Sequence, residues 1–272
     1  MDKQSNIRIF QDTINRIEND PVLRRTLPGV DAANKNTFLY VPNPAGIQKT
    51  RHNTYASRKT VTGERTIECA LRLSKETSGR IAVLNFASPK HPGGGVVTGA
   101  SAQEEAICRI TDLYPRLCAM RNKGIFYDTK RRSPYTDKVL YSRDVTVIKS
   151  DEDEPRLLDE NERILIDVVT CAAPNQSGQK LSDNEVYEII RRRIVNILDA
   201  CIENGAVNVV LGAWGCGAFR NPPKPVINAM MMEISHNYSW SFDNIVFAVY
   251  TRGKEIVNYE VFAETVKYWY YP

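Results

Sequence analysis

The sequence predicts a three-layer α/β fold, a mixed and mostly parallel sheet between helices, with a helical extension at the N-terminus. Three observations lead there. Short apolar runs at 81–86, 163–173 and 207–211 alternate with stretches of helical periodicity, and such runs suit strands covered on both faces. Two of these runs open into glycine-dense loops that are followed by helices. The 272 residues, 42% hydrophobic and 25% charged, suffice for one large core, and no break in composition divides them. Residues 1–63 read as a helix and a wrapping loop packed on the core, and 64–272 as the core itself, one structural unit.

In chain order, Ile7, Phe10, Ile14 and Ile17 predict a helix over Ser5–Asn19, which Asp20-Pro21 ends. Thr26–Gly46 lacks a clear period and reads as an ordered loop around the domain. Thr66 is expected to cap a short helix bearing Ile67, Ala70, Leu71 and Leu73, closed by Gly79. After the strand at 81–86, a helix is expected over Ala106–Met120 with an interruption near Pro115. Residues 122–143 are basic and aromatic and read as a solvated loop with a short strand, and Val145–Lys149 alternates like a strand. Asp151-Glu152-Asp153-Glu154-Pro155 is an acidic loop without the EF-hand register. Arg163–Ala173 reads as a central strand and Asp183–Asn204 as a long helix stopped by Gly205, with Arg191–Arg193 on its solvated side. Val207–Leu211 is a buried strand, Val226–Ile234 marks a helix, Asn244–Thr251 a last strand and Asn258–Tyr268 a terminal helix.

The totals exclude several classes. A formal charge of +4 suits an anionic ligand but does not demand nucleic acid, and zinc-finger, basic-zipper and RNP-like patterns are missing. The six cysteines form no C-x-x-C pair and the three histidines are far apart, so no metal and no cofactor is expected. No apolar run approaches membrane-spanning length and MDKQSNIRIF lacks a signal-peptide core, so the chain reads as a cytoplasmic or nuclear protein with no membrane partner.

Chemistry concentrates in IAVLNFASPKHPGGGVVTGASAQEEAICRITDLY, from Ile81 to Tyr114. Gly93, Gly94 and Gly95 let a backbone come within contact distance of a ligand, and Gln103-Glu104-Glu105 opens the following helix. Taken alone, a glycine turn is common, Ser101 and Glu104 fit a capping box, and acids suit a helix start. The second half is GAWGCGAFRNPP, 212–223, also between a buried strand and a helix. Ligands of open α/β sheets bind at the carboxyl ends of strands, where two such loops can close on a diphosphate with backbone N–H donors. Neither loop fits G-x-G-x-x-G or Walker A, which demotes dinucleotide and P-loop chemistry.

The run PGGGVVTGASAQEE resembles the signature of the bacterial-type (microbial) poly(ADP-ribose) glycohydrolases, a macrodomain family. LNFASPKHP, DVVTCAAPN and GAWGCGAFRNPP resemble it as well, so that the likeness spans about Thr60 to Phe262. It implies a macrodomain-like fold and hydrolysis of ribose–ribose O-glycosidic bonds. The partners implied are poly(ADP-ribose) or ADP-ribosylated proteins, with ADP-ribose as product and the enzyme as a monomer. Carried over, Gly93, Gly94 and Gly95 line the diphosphate and distal ribose, and Gly215, Gly217 and Ala218 supply the second diphosphate loop. Phe219 packs on the sugar or adenine, Asn85 hydrogen-bonds the distal ribose, and Gln103 belongs to the substrate-binding set. Glu104 holds the ribose hydroxyls and Glu105 is the catalytic acid/base. Ala218 and Trp214 depart from the residues the family pattern leads one to expect, a larger aliphatic and a Phe or Tyr.

Ordinary glycosidases set two carboxylates on opposite sides of the anomeric carbon. Adjacent residues at a helix start diverge by about 100°, so Glu104 and Glu105 can hardly straddle one bond, and a division of labour is expected. A reader domain that binds ADP-ribose without turnover, and a hydrolase of single ADP-ribose units, are the rival readings.

Overall fold

The middle of the molecule is β3 (Arg80–Phe86), the fourth strand of a seven-stranded sheet ordered β1-β4-β5-β3-β6-β7-β2. The computed structural model describes residues 2–27, 35–41, 53–178, 180–251 and 256–269. The other strands are β1 (Thr37–Tyr40), β2 (Arg58–Thr62), β4 (Val139–Thr146), β5 (Leu165–Cys171), β6 (Ala206–Leu211) and β7 (Asn244–Ala248). From β5 across to β2 every pairing is parallel, while β1 and β4 run antiparallel at one side.

Alternation on the strands fixes three layers. Ala82 and Leu84 of β3, Val209 and Leu211 of β6, and Ile245 and Phe247 of β7 pack toward α6 (Asp183–Glu203), α7 (Pro223–Asn237) and α8 (Val257–Tyr268). Ile81, Val83, Val210 and Val246 face the other way, toward α1 (Lys3–Asn19), α3 (Thr66–Glu76), α4 (Gln103–Ile110) and α5 (Leu113–Asn122). A strand buried on both faces has no polar side to offer, which is why these segments read as unbroken apolar runs.

Local chemistry sets the helix ends. Asp2 accepts from Ser5 N at 2.8 Å and starts α1. Asp20 both stops α1 and caps α2 (Pro21–Thr26) through Val22 N and Leu23 N, so Asp20-Pro21 ends one helix and begins another. Gly205, at φ +77°, closes α6 by a bond to Ile202 O.

Five expectations change. Thr66 is the first residue of α3, not its cap; Asp151 caps that helix from the acidic loop by accepting Ile67 N at 3.0 Å and Glu68 N at 3.3 Å. The helix after the glycine loop breaks at Thr111–Asp112, earlier than Pro115, because Thr111 bridges to Val147 and Asp112 accepts from Thr146 N. Pro115 sits in the first turn of α5, where its missing N–H costs nothing. Val145–Lys149 is the tail of β4 beyond a bulge followed by isolated bridges, not a strand of its own. Arg193 is not on a solvated face: it is 1% exposed and joins Asp137, Ala172 O and Pro134 O, while Arg191 and Arg192 stay at the surface on Glu233 and Asp137. Thr37–Tyr40 lies inside the segment read as loop and pairs with β4; much of the rest of 26–46 lies outside the described residues. Among the described residues no helix is long and apolar enough to cross a membrane.

Candidate active site

The two glycine loops leave neighbouring parallel strands. β3 runs into 87–102 and α4, β6 into 212–222 and α7, and the pairing of β3 with β6 sets the loops side by side at the carboxyl ends of the sheet. Between them opens a cavity of about 630 Å³, within the range of small-molecule sites. Gly94, Glu104 and Glu105 line it on one side, and Gly215, Gly217, Ala218 and Phe219 on the other.

Gln103 is the pin that places the pair. Its amide oxygen accepts Phe86 N at 2.8 Å, and its amide nitrogen donates to Leu84 O at 2.7 Å and Thr66 Oγ1 at 3.0 Å. The start of α4 is thereby tied to the end of β3, and the Gln103 side chain has its hydrogen bonds inside the protein. Ser101 makes no capping bond, so the S-x-x-E box does not form; the residue before the helix is Ala102. Glu104 turns inward instead. Its Oε2 accepts Ser88 N at 2.7 Å and its Oε1 accepts Asn85 Nδ2 at 3.3 Å. Asn85 is 0% exposed and also donates to Thr170 Oγ1, so it stands behind Glu104 and holds that carboxylate, while its own Oδ1 has no hydrogen-bond partner among the described residues.

Glu104 is 3% exposed. Burial, helped by the neighbouring Glu105 charge and opposed by the Ser88 and Asn85 hydrogen bonds, pushes its carboxyl up to about 8. Glu105, 7% exposed, accepts Gly95 N at 2.8 Å with Oε1, while its Oε2 is buried without a hydrogen-bond partner among the described residues. Both carboxylates lie against Gly94, whose φ is +57°. A Cβ there would overlap Glu105 Oε1 and lie 3.1 Å from Glu104 Oε2. The pair flanks one glycine yet has different partners, one oxygen being left over.

The second loop is braced from beneath. The Trp214 ring is fully buried and donates Nε1–H to Cys171 O at 3.1 Å, tying the loop to the end of β5. Asn221 Nδ2 donates to Pro174 O and Gly215 O. Gly215, at φ +77°, has no room for a side chain, since a Cβ would overlap Asn221 Nδ2 and come 2.5 Å from Ala173 Cβ. Gly217 and Ala218 are exposed along the cavity, and Phe219 is half-buried with its ring 6.4 Å from that of Tyr135.

Sequence reasoning missed several residues here. Arg65 and Tyr250 form the far end of the cavity, the guanidinium 4.5 Å from the ring centroid and Nη2 2.9 Å from the phenol oxygen. Tyr250 follows β7, so the strand-end rule points to it. Asn6 of α1 donates to Gly99 O at 3.0 Å, and Arg109 donates to Ala100 O at 2.7 Å; both brace the chain between the glycines and the glutamates. No local pattern signals these two.

The fold and the site define an α/β/α macrodomain-like protein with a paired-glutamate centre under two glycine loops. The microbial-type poly(ADP-ribose) glycohydrolase (PARG) catalytic domain family matches residues 17–150. A poly(ADP-ribose) glycohydrolase from Thermomonospora curvata is 30% identical, with a TM-score of 0.85 over 96% of this chain and 99% of that one. Its complex with the inhibitor ADP-HPD gives 0.84. A poly(ADP-ribose) glycohydrolase from Deinococcus radiodurans in complex with ADP-ribose is 28% identical, with a TM-score of 0.76 over 89% of this chain and 98% of that one. No curated protein matches the chain in sequence. The chain belongs to the microbial-type poly(ADP-ribose) glycohydrolase family.

Proposed function

We propose that this protein hydrolyses the ribose–ribose O-glycosidic bonds of poly(ADP-ribose), releasing ADP-ribose, with Glu105 as acid/base. Family membership makes it a glycoside hydrolase of this polymer. The observation that carries the division of roles is Glu105 Oε2, a buried carboxylate oxygen at the cavity with no internal partner, beside a Glu104 whose two oxygens are both held.

In this reading the diphosphate lies between the two glycine loops, where backbone N–H groups and open glycine surfaces suit phosphate oxygens. Phe219 packs on the sugar, and the adenine extends toward Tyr250 and Arg65, since an exposed phenol face and a cation suit a nucleobase. Glu104 grips the ribose diol. Asn85 and Gln103 act through other groups: one steadies Glu104, the other fixes the helix start.

Glu105, acting in its protonated form, then gives a proton to the departing ribose oxygen as the C1″–O bond breaks. The electron pair leaves with that oxygen, and the positive charge on the ribose is met by the substrate's own diphosphate. Water adds to C1″, and Glu105 recovers a proton from it. One carboxylate thus serves both steps. The six free cysteines fit a reducing compartment such as the cytoplasm.

The test is incubation with poly(ADP-ribose), wild type against Glu105→Ala, measuring free ADP-ribose. Release by the wild type and its loss in the variant are expected; equal release would refute the assignment of Glu105.

A further inference from the structure

The basic loop between α5 and β4 has no part in the chemistry above, yet it is joined to the segment just before the glycine run and stands near Phe219 of the cavity wall. We infer that Lys130, Arg131 and Arg132, with Lys90 and Arg220, form a cationic rim that binds the diphosphates of the polymer segment beyond the scissile bond. The inference rests on the hydrolase reading and assigns that site a leaving-group subsite.

Placement comes first. Asp128 N donates to Pro89 O at 3.0 Å, joining the loop to the segment just before the glycines. At its other end Ser133 Oγ accepts Asn175 N at 2.9 Å, and the Tyr135 ring stands 6.4 Å from that of Phe219. Arg193 clamps the loop from below, donating to Pro134 O, to Asp137 Oδ1 at 2.8 Å and to Ala172 O at the end of β5. A built, buried anchor thus holds the loop beside Phe219 and next to the segment that leads into the glycines.

Charge comes second. Lys130, Arg131, Arg132 and Arg220 are exposed and Lys90 half-exposed, and among the described residues none of them forms an ion pair. Asp128 is their one nearby counter-charge on these loops, because Asp137 is occupied by Arg192 and Arg193. The opposite end of the cavity is acidic, with Asp151, Glu152 and Asp153 beside Arg65. A polymer with a diphosphate in every repeat is repelled there and attracted here. Its scissile ribose lies at Glu105, so the remainder of the chain leaves past Ser88 and Lys90 toward the basic loop.

Two substrates separate this role from folding and from catalysis. Poly(ADP-ribose) has phosphates beyond the scissile bond, whereas p-nitrophenyl ADP-ribose has none. In the triple variant Lys130→Ala, Arg131→Ala, Arg132→Ala, kcat/KM on polymer is expected to fall about tenfold at low salt and to depend less steeply on ionic strength. Hydrolysis of the p-nitrophenyl substrate should be unchanged. Polymer kinetics within twofold of wild type at every salt concentration, or an equal loss on both substrates, would overturn the proposal. So would tighter binding of single-stranded DNA than of polymer to the Glu105→Gln protein, which would assign the rim to nucleic acid. A wild-type protein inert on both substrates would refute the hydrolase reading itself, a result unlike any of these.

Discussion

At the scale of single residues the site is a contrast between two adjacent carboxyls. Glu104 lies at about 8 in the folded chain, against an ordinary value of 4.5. Between those values the folded protein keeps a proton that the unfolded chain has released. Stability is therefore full below the unfolded value and declines as pH rises through about 8, at up to about 1.4 kcal/mol per pH unit. Glu104→Gln keeps the shape and removes the charge, so its melting temperature should exceed that of wild type above pH 8 and approach it in acid; parallel curves would contradict this. Gly94 sets the second residue-scale expectation. Alanine there meets a left-handed backbone, costing about 1–2 kcal/mol, and displaces Glu105 Oε1. Misplacement of a catalytic group by about 1 Å costs on the order of a hundredfold, so Gly94→Ala should lose about that much in kcat while circular dichroism still reports a folded chain.

Among elements, the decisive one is the joint from β3 to α4. Gln103 closes it with three hydrogen bonds, Glu104 fastens it to Ser88, and α1 supports it through Asn6. The matching joint from β6 to α7 depends on Trp214, whose Nε1–H is the link to β5. Trp214→Phe keeps most of the buried ring but leaves Cys171 O without that donor, a loss of about 1 kcal/mol. Thermal unfolding should show a fall of roughly 2–4 °C; an unchanged midpoint would mean that the bond contributes nothing. The two joints were legible to different degrees. Glycine runs announce themselves because a close backbone approach is a local demand. The parts of Gln103 and Asn85 are not visible locally, since their partners Leu84 O, Thr66 and Thr170 come from other strands and helices. Arg193 was misread for the same reason: three consecutive arginines look alike in sequence, and only the packing of α6 against β5 buries the third.

For the whole molecule, the sheet order explains why one site exists. β3 and β6 are far apart in sequence but adjacent and parallel, which puts Gly94 of one loop and Gly215, Gly217, Ala218 and Phe219 of the other on a common cavity. Apolar runs and helix periods were enough to anticipate three layers, because burial on both faces marks the inner strands. The edge strands β1 and β2 were harder to see: β1 is only four residues long, and both pair on one side alone. Tyr250 and Arg65 meet only when β7 and the start of α3 are folded together; the strand-end rule reaches Tyr250, but nothing local marks Arg65 as its partner. A protein that turns over a polymer through one glutamate should separate binding from chemistry. The most direct test is Glu105→Gln, with calorimetric titration of ADP-ribose beside a turnover assay on poly(ADP-ribose). The account predicts a binding constant close to that of wild type and a turnover lower by about 10²- to 10⁴-fold, the usual worth of a general acid/base. Wild-type turnover in that variant would contradict it.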